Sequence, residues 1–421
     1  MNKLCKIITF FTFSLFSIVP IWAEEKSDSV YICEEATQDS INQTLDSLTI
    51  VKTDSIANPD FLQKIIGKLP SWLQNYASSL LAGNVDKTFE KAVDMSWGII
   101  PSYRREDGFG LLGAGTGQYR VNRQDSILAP SNFTISLNAS LNGFYVLDIY
   151  GNHLFSDHKS LLAYEIQLYR KHLEFWGITS AETAVNPQSM YNRRQIDLKA
   201  KYIYNISDKF FSGLAVQANY TDASEEHEYI LGNKLGYYVT GLGLTFEYDT
   251  RDHLVTPSKG IHLLYQPMIF PQFLGNAGAT FHSHNFIFNG YVKMWKGSVL
   301  AFDWYTKFNS NRTPWTMREM ISADGRRMRG YYLGRTVDNN QITAQVEYRQ
   351  NIWKRLGMVL WGGYGTLFPD FEALKDYKNL QWFPNYGVGL RFEFKNNVNI
   401  RADYGFGKGT SGLLVTIGEA F

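Results

Sequence analysis

The densest reactive chemistry in this 421-residue chain is cationic. Arg326, Arg327 and Arg329 crowd a stretch that also holds Met317, Met320 and Met328, inside a connection running over residues 309–340. Guanidinium groups at this density bind anions, and an exposed loop of this kind could hold the phosphates of surface lipopolysaccharide. A second cluster, Asp249, Arg251 and Asp252 followed by Pro257 and Gly260, has charges that can pair locally. It reads as a structural turn at a water boundary. His282 and His284 share one strand face and could touch a metal, but side chains of an interfacial girdle explain them as well. No phosphate-cradling glycine loop, paired-cysteine motif or His-Glu zinc spacing is present, and no constellation singles out a nucleophile. The expectation is a protein that is not an enzyme, with no cofactor and no resident metal. With 41 basic and 40 acidic residues, nothing recommends nucleic acid as a partner.

These residues need a scaffold, and the chain divides into unlike parts. Lys3 and Lys6 precede an apolar stretch from Ile7 to Trp22 and a small residue at Ala23, the pattern of a secretory signal peptide over residues 1–23. Cys5 would leave with it, so Cys33 would have no disulfide partner. Residues 24–60 are polar and without period, as in a periplasmic linker. Over residues 61–94, Phe61, Leu62, Ile65, Ile66 and Leu69 are helically spaced. Pro70 can open a second helix carrying Trp72, Leu73, Tyr76, Leu80 and Leu81. This short helical segment would pack at the periplasmic face of the carboxy-terminal three quarters of the chain, or lie on the inner leaflet.

From residue 95 to residue 421 the pattern changes to strands. Phe133, Ile135, Leu137, Ala139 and Leu141 oppose Asn132, Thr134, Ser136, Asn138 and Ser140; Tyr386, Val388, Leu390, Phe392 and Phe394 oppose Gly387, Gly389, Arg391, Glu393 and Lys395. Soluble sandwich strands also alternate, but these do so over about ten residues, the length a tilted strand needs to cross a bilayer. The aromatic share, 15% with 26 Tyr and 28 Phe, suits interfacial girdles. The expected fold is all-β: a transmembrane antiparallel β-barrel of about sixteen strands. The candidates centre on Gly98, Gly115, Ser136, Leu147, Ile166, Lys199, Val216, Leu242, Leu264, Phe286, Phe302, Thr343, Val359, Leu390, Arg401 and Val415. Without the fourth and ninth, whose patterns are weak, the count is fourteen. The chain is expected as an integral protein of the cell outer membrane, its amino-terminal segment in the periplasm and lipid and lipopolysaccharide around it. The longest connection, between strands eleven and twelve, would then start on the extracellular side and carry the arginines.

In that context the run Asp324-Gly325-Arg326-Arg327-Met328-Arg329-Gly330-Tyr331, with Gln345-Val346-Glu347-Tyr348-Arg349 beyond it, resembles the sixth-loop signature of the BamA/TamA superfamily of outer-membrane insertases and translocators, the bacterial surface antigens. Tyr248-Asp249-Thr250-Arg251-Asp252 with Pro257-Ser258-Lys259-Gly260 resembles that family's turn between strands eight and nine. The carboxy end, Arg401 to Gly405 and Gly418 to Phe421, is a third match. The likeness covers the barrel and not the first ninety residues. It implies that the loop folds into the lumen and that Arg329, Gly330 and Tyr331 meet acids on the inner wall. Glu347 is inward if Ile342, Ala344, Val346 and Tyr348 face lipid. The family's second acid, two positions after an aromatic, falls on Gly363 after Trp361; Glu393 or Asp403 could replace it.

The last strand, with Val415, Ile417 and Phe421, resembles the signal by which barrel assembly machinery inserts such proteins, although Glu419 interrupts it and the best-patterned stretch ends at Ile417. Family members carry polypeptide-transport (POTRA) domains ahead of the barrel, whereas residues 24–94 read as linker and helices, so a member without them is expected. Three functions remain open: aiding insertion or translocation of client proteins at the outer membrane, a passive or gated pore plugged by the Arg329 loop, and a barrel serving one dedicated partner through the amino-terminal helices.

Overall fold

Long alternating runs leave their backbone polar groups no partner except another such run, and in lipid the only arrangement without an exposed edge is a closed one. The computed structural model describes residues 88–421, apart from 126, 127, 129, 224–235, 277, 278, 323, 324, 396 and 397. Sixteen antiparallel strands close into one barrel. They are β1 (Asp94–Arg104), β2 (Gly108–Tyr119), β3 (Ser131–Ser140), β4 (Tyr145–Leu154), β5 (Ser160–Phe175), β6 (Ser189–Ser207), β7 (Phe210–Ala223) and β8 (Gly236–Asp249). The circuit continues with β9 (Gly260–Phe270), β10 (Phe281–Lys293), β11 (Ser298–Asn309), β12 (Asn340–Trp353), β13 (Leu356–Phe368), β14 (Trp382–Lys395), β15 (Val398–Gly407) and β16 (Thr410–Ile417). Every centre expected from alternation lies in its own strand, the weakly patterned fourth and ninth included. The signal peptide, the linker and the helical segment up to residue 87 lie outside the described residues; residues 88–92, the end of the helical reading, form turn and bend instead.

Burial runs opposite to that of a soluble barrel. Ile135, Leu137, Leu214, Val346, Leu360, Val388 and Leu390 are exposed, while Asp197, Asn219, Asp303, Gln345, Glu347, Arg391, Arg401 and Asp403 are buried. Apolar side chains stand outward and polar ones inward on the same strands, which makes lipid the solvent of the outer wall. His282, His284 and Phe286 are on the outward face of β10, where the Tyr265 hydroxyl lies 3.0 Å from His284 Nδ1. Among the described residues no cluster of metal-ligating side chains forms.

The end of the barrel where β1 starts and β16 stops is here the terminal end, and the opposite one the loop end. Connections at the loop end are unequal. They span three residues after β1, four after β3 and two after β15, but thirteen after β5 and after β13 and thirty after β11. β5 and β6 have 16 and 19 residues, so the wall is tall on that side and low around β16 and β1.

Ladder lengths differ too. Between β5 and β6 sixteen pairs are in register, and elsewhere no fewer than six, except at the junction that closes the barrel. There β1 and β16 share two, Tyr103↔Val415 and Arg104↔Leu414, both near the loop end of β1. The six-pair junction, β8 with β9, skips the stretch opposite Pro267, whose ring has no N–H to give the ladder, and resumes in the same register at Phe246↔Tyr265.

Candidate functional site

The described residues of 310–339 form a strap inside the barrel, not the structureless connection that length alone suggests. After a 3₁₀ turn over Trp315–Met317, Glu319 and Met320 pair with Asp338 and Val337. This short ladder closes a base from which residues 321, 322 and 325–336 project. The base is bound to both sides of the lumen. Lys307 Nζ meets Glu319 Oε1 at 2.7 Å, and the backbone N–H and hydroxyl of Ser180, in the β5–β6 connection, donate to Asp338 Oδ2. Arg318 and Arg335 donate to the carbonyls of Ile178 and Thr183 in that connection.

At the projecting tip, Arg327 forks onto Asp303 of β11: Nε to Oδ2 and Nη2 to Oδ1, both 2.7 Å. Its guanidinium also lies 4.5 Å from the Tyr305 ring centre. Asp303 is fully buried and accepts further bonds from Asn289 and Gln345. Arg329 divides its two terminal nitrogens between two strands. Nη2 donates to Glu347 Oε2 of β12 at 2.7 Å, and Nη1 to Asp403 Oδ2 of β15 at 2.8 Å. Its guanidinium rests 3.7 Å from the centre of the Trp361 ring, a stacking that suits a weakly hydrated cation.

Those two carboxylates belong to a closed ring of ion pairs. From Arg329 it passes to Glu347, then to Arg349 (2.8 Å), Glu419 (4.0 Å), Arg391 (2.8 Å), Asp403 (2.5 Å) and back to Arg329. Arg401 brings a third cation to Asp403, at 3.2 Å, and is the fourth of the network. Each carboxylate in the ring is almost wholly buried yet has at least two cationic neighbours, which is what keeps a buried charge tolerable. Of the acids expected at Arg329, the structure therefore brings Glu347 and Asp403 together. Glu393 is outside this ring, two residues beyond Arg391 on β14; its own backbone N–H bonds the Arg355 carbonyl. Gly363 is compact for a packing reason. A Cβ there would lie 2.4 Å from the Ala344 carbonyl oxygen, so no acid fits at that point and β15 supplies it.

The backbone of the tip is seated on glycine. Gly330 has φ +100°, and a Cβ on it would lie 2.4 Å from the carbonyl carbon of Gly405. The Tyr331 ring occupies the space a side chain at Gly407 would need. The Tyr331 hydroxyl donates to the Pro384 carbonyl at 2.7 Å and accepts from the Lys408 N–H at 2.8 Å. Met328, Ile321, Leu367 and Phe383 pack with that ring in a small apolar cluster.

At the carboxy end, β16 stops at Ile417, with Val415 and Ile417 in the strand and Phe421 beyond it. Gly418 turns at φ +94°, and the tail enters the lumen. Arg349 donates to the Phe421 carbonyl at 2.7 Å and lies over its ring, and Ala420 is fully buried. Phe421 is thus not the outward-facing aromatic of a final strand that the sequence pattern suggests. Glu419 breaks the apolar series because it serves the ion-pair ring.

The β8–β9 turn is at the terminal end. Arg251 forks onto Asp249 with its shortest contact 2.6 Å, and Asp252 accepts from the Ser258 hydroxyl (2.5 Å) and N–H (2.8 Å). Pro257 is buried, and Gly260 passes so close to Thr250 that a Cβ would lie 2.3 Å from its carbonyl oxygen. Burial pushes the Asp252 carboxyl up, but the bonds from Ser258 and Lys259 outweigh it and hold the group down to about 2.

No family model and no curated protein matches the chain. Solved structures do. BamA from Haemophilus ducreyi lacking POTRA domains 1–3 is similar with a TM-score of 0.51 at 11% identity, over 78% of this chain and 70% of that one. CdiB from Acinetobacter baumannii is similar with a TM-score of 0.47 at 13% identity, over 78% of this chain and 60% of that one. At such identity the likeness is one of fold: a sixteen-stranded barrel of the outer-membrane type.

Proposed function

We propose that this chain is an integral outer-membrane protein that aids insertion or translocation of other proteins there, acting through the junction of β1 and β16. One observation carries the reading: the two strands share only two registered pairs, where every other junction has six or more. A strand joined so briefly to its neighbour can exchange that partner for an incoming strand at low cost, the principle of β-augmentation. The run Arg326–Tyr331, which resembles the sixth-loop signature of the BamA/TamA insertases, supports the choice of protein clients over small solutes. Lipid and lipopolysaccharide surround the wall in this reading, and the stretch Thr410–Ile417 serves the chain's own insertion by barrel assembly machinery.

The test is photocrosslinking in cells from Met95 on β1 and Leu413 on β16, with equivalent probes on β6. Adducts to nascent outer-membrane proteins from the first two positions alone, together with lowered outer-membrane protein levels on depletion, are expected. Adducts from all positions alike, or normal levels on depletion, would overturn it.

A second reading, a pore plugged by the strap, draws on another observation. Glu165 and Lys199 pair across β5 and β6 on the inward face, yet their side chains are 47% and 43% exposed, so that part of the inner wall is open to solvent. Deleting residues 310–339 should then raise planar-bilayer conductance sharply.

A further inference from the structure

The outer wall of β5 and β6 carries a charge arrangement that hydrocarbon alone would not tolerate. Toward the loop end, its outward pairs run Leu168↔Ile196, then Arg170↔Arg194, then His172↔Asn192. Two guanidiniums directly opposite each other on one face repel. Both are exposed, and among the described residues neither has an ion pair or a hydrogen bond. The inward Arg193, by contrast, donates to Gln195 Oε1 at 2.9 Å and to the Thr316 carbonyl at 2.7 Å. The outward row continues to Tyr145 of β4 beside Arg170 and to Asp222 of β7 beside Arg194. One carboxylate against two guanidiniums leaves the row cationic.

The height of this row on the wall matters as much as its charge. Toward the terminal end, the outward face of β6 passes through Ile196 and Leu198 to Tyr202 and Tyr204, all exposed. The ten residues from Tyr204 to Arg194 cover about 34 Å of strand, or about 26 Å of depth at a tilt of about 40°, the height of an outer-membrane apolar band. Tyr220 of β7, opposite Ile196, and Tyr238 of β8, opposite Tyr220, are exposed just below the arginines, as girdle residues are at an interface. β5 and β6 each continue five residues beyond the pair. Arg170 and Arg194 are therefore level with lipid headgroups, above the hydrocarbon and below the rim.

We propose that Arg170 and Arg194 together bind a phosphate of an outer-leaflet lipid headgroup, the phosphorylated anchor of lipopolysaccharide. Cross-strand partners have Cβ atoms about 5 Å apart, so two planar forks can converge on one phosphate, whose oxygens accept from both. The bound anion removes the repulsion that the bare pair suffers. This inference rests on the reading of the loop end as the outer side of an outer-membrane barrel, and not on any action on client proteins. A failed client-crosslinking experiment would leave it standing, and its own failure would leave the client reading untouched.

The test titrates the full chain, folded in a non-ionic detergent, with bisphosphorylated lipid A, with the same lipid stripped of both phosphates, and with inorganic phosphate. Native mass spectrometry counts the bound molecules, and the heat-modifiable gel band reports folding. The phosphorylated lipid should bind and the stripped one should not. Arg170→Gln with Arg194→Gln should weaken binding about tenfold or more, the loss of charge-assisted bonds to one anion. Asp222→Asn, which removes the competing carboxylate, should strengthen it, and Lys378→Gln, at an exposed cation in the β13–β14 connection, should leave it unchanged. Arg170→Lys with Arg194→Lys keeps the charge without the fork; it should also weaken binding and serves where the glutamine pair does not fold. Equal binding of the stripped lipid, a double variant that binds as the parent does, or an equal loss in Lys378→Gln would overturn the site. Displacement of the lipid by inorganic phosphate at equal concentration would overturn it too, because the ligand would then be the free anion.

Discussion

Arg329 holds two carboxylates from strands that are not neighbours, so its side chain is a cross-brace for the inner wall. Arg329→Ala removes two buried charge-assisted hydrogen bonds, while Glu347 keeps Arg349 and Asp403 keeps Arg391 and Arg401, so the loss is about 1.5–3 kcal/mol. The expected outcome is a lower urea midpoint for the heat-modifiable band. Arg329→Lys should recover little of it, since one ammonium neither spans both acids nor stacks on Trp361 as a planar cation does. A second residue-scale prediction concerns pH. Asp252 titrates near 2 when folded and near the ordinary carboxylate value when unfolded. Its contribution is therefore complete above about pH 4 and is lost as pH falls through 4 towards 2. In urea midpoints measured across that range, Asp252→Asn should flatten the decline. Individual residues differ in how legible they are from sequence. Glu347 follows from alternation, because one misplaced acid in an apolar-out strand must face inward. Asp303, Arg391 and Arg401 obey the same alternation but gain meaning only through cross-strand register, which juxtaposes Asp403 with Gly389 and Asp303 with Gln345. Glu419 is visible as an interruption of the terminal pattern, yet its purpose depends on the turn at Gly418, which no periodicity announces.

Among the elements, the strands are the most legible and the strap the least. A strand writes its two environments into every second residue, so ten residues suffice to place it. The strap has no period: its seat is built from what the wall omits, the side chains absent at Gly405 and Gly407. Gly330→Ala tests that seat. The methyl would meet backbone, which cannot move aside, and φ +100° is strained for alanine, so we expect about 2 kcal/mol or more of lost stability. Limited proteolysis should reveal new cleavage within residues 310–339. Unchanged digestion would mean the strap tolerates a different path.

For the whole molecule, the dominant fact is a polar interior wrapped in an apolar coat. Leu390, 56% exposed near the middle of β14, is where that inversion can be measured. Leu390→Arg should cost about 2–4 kcal/mol for folding into vesicles, the range for a cation at the bilayer midplane. If lipid does not contact this face, the substitution will be almost silent. At this scale, too, the carboxy-terminal tail ties the end of the chain into the ring that holds Arg329, so the last four residues share in setting the strap's stability.

The uneven crown of connections makes access to the interior directional. The thirteen-residue segment after β5 is bolted to the strap by Ser180, Ile178 and Thr183, and the equally long one after β13 lies on the opposite side of the circuit. Around β16 and β1 the roof shrinks to turns of two and three residues. Among the described residues, that low side is the more open approach to the Arg329 hairpin for a bulky reagent such as an antibody fragment or a protease.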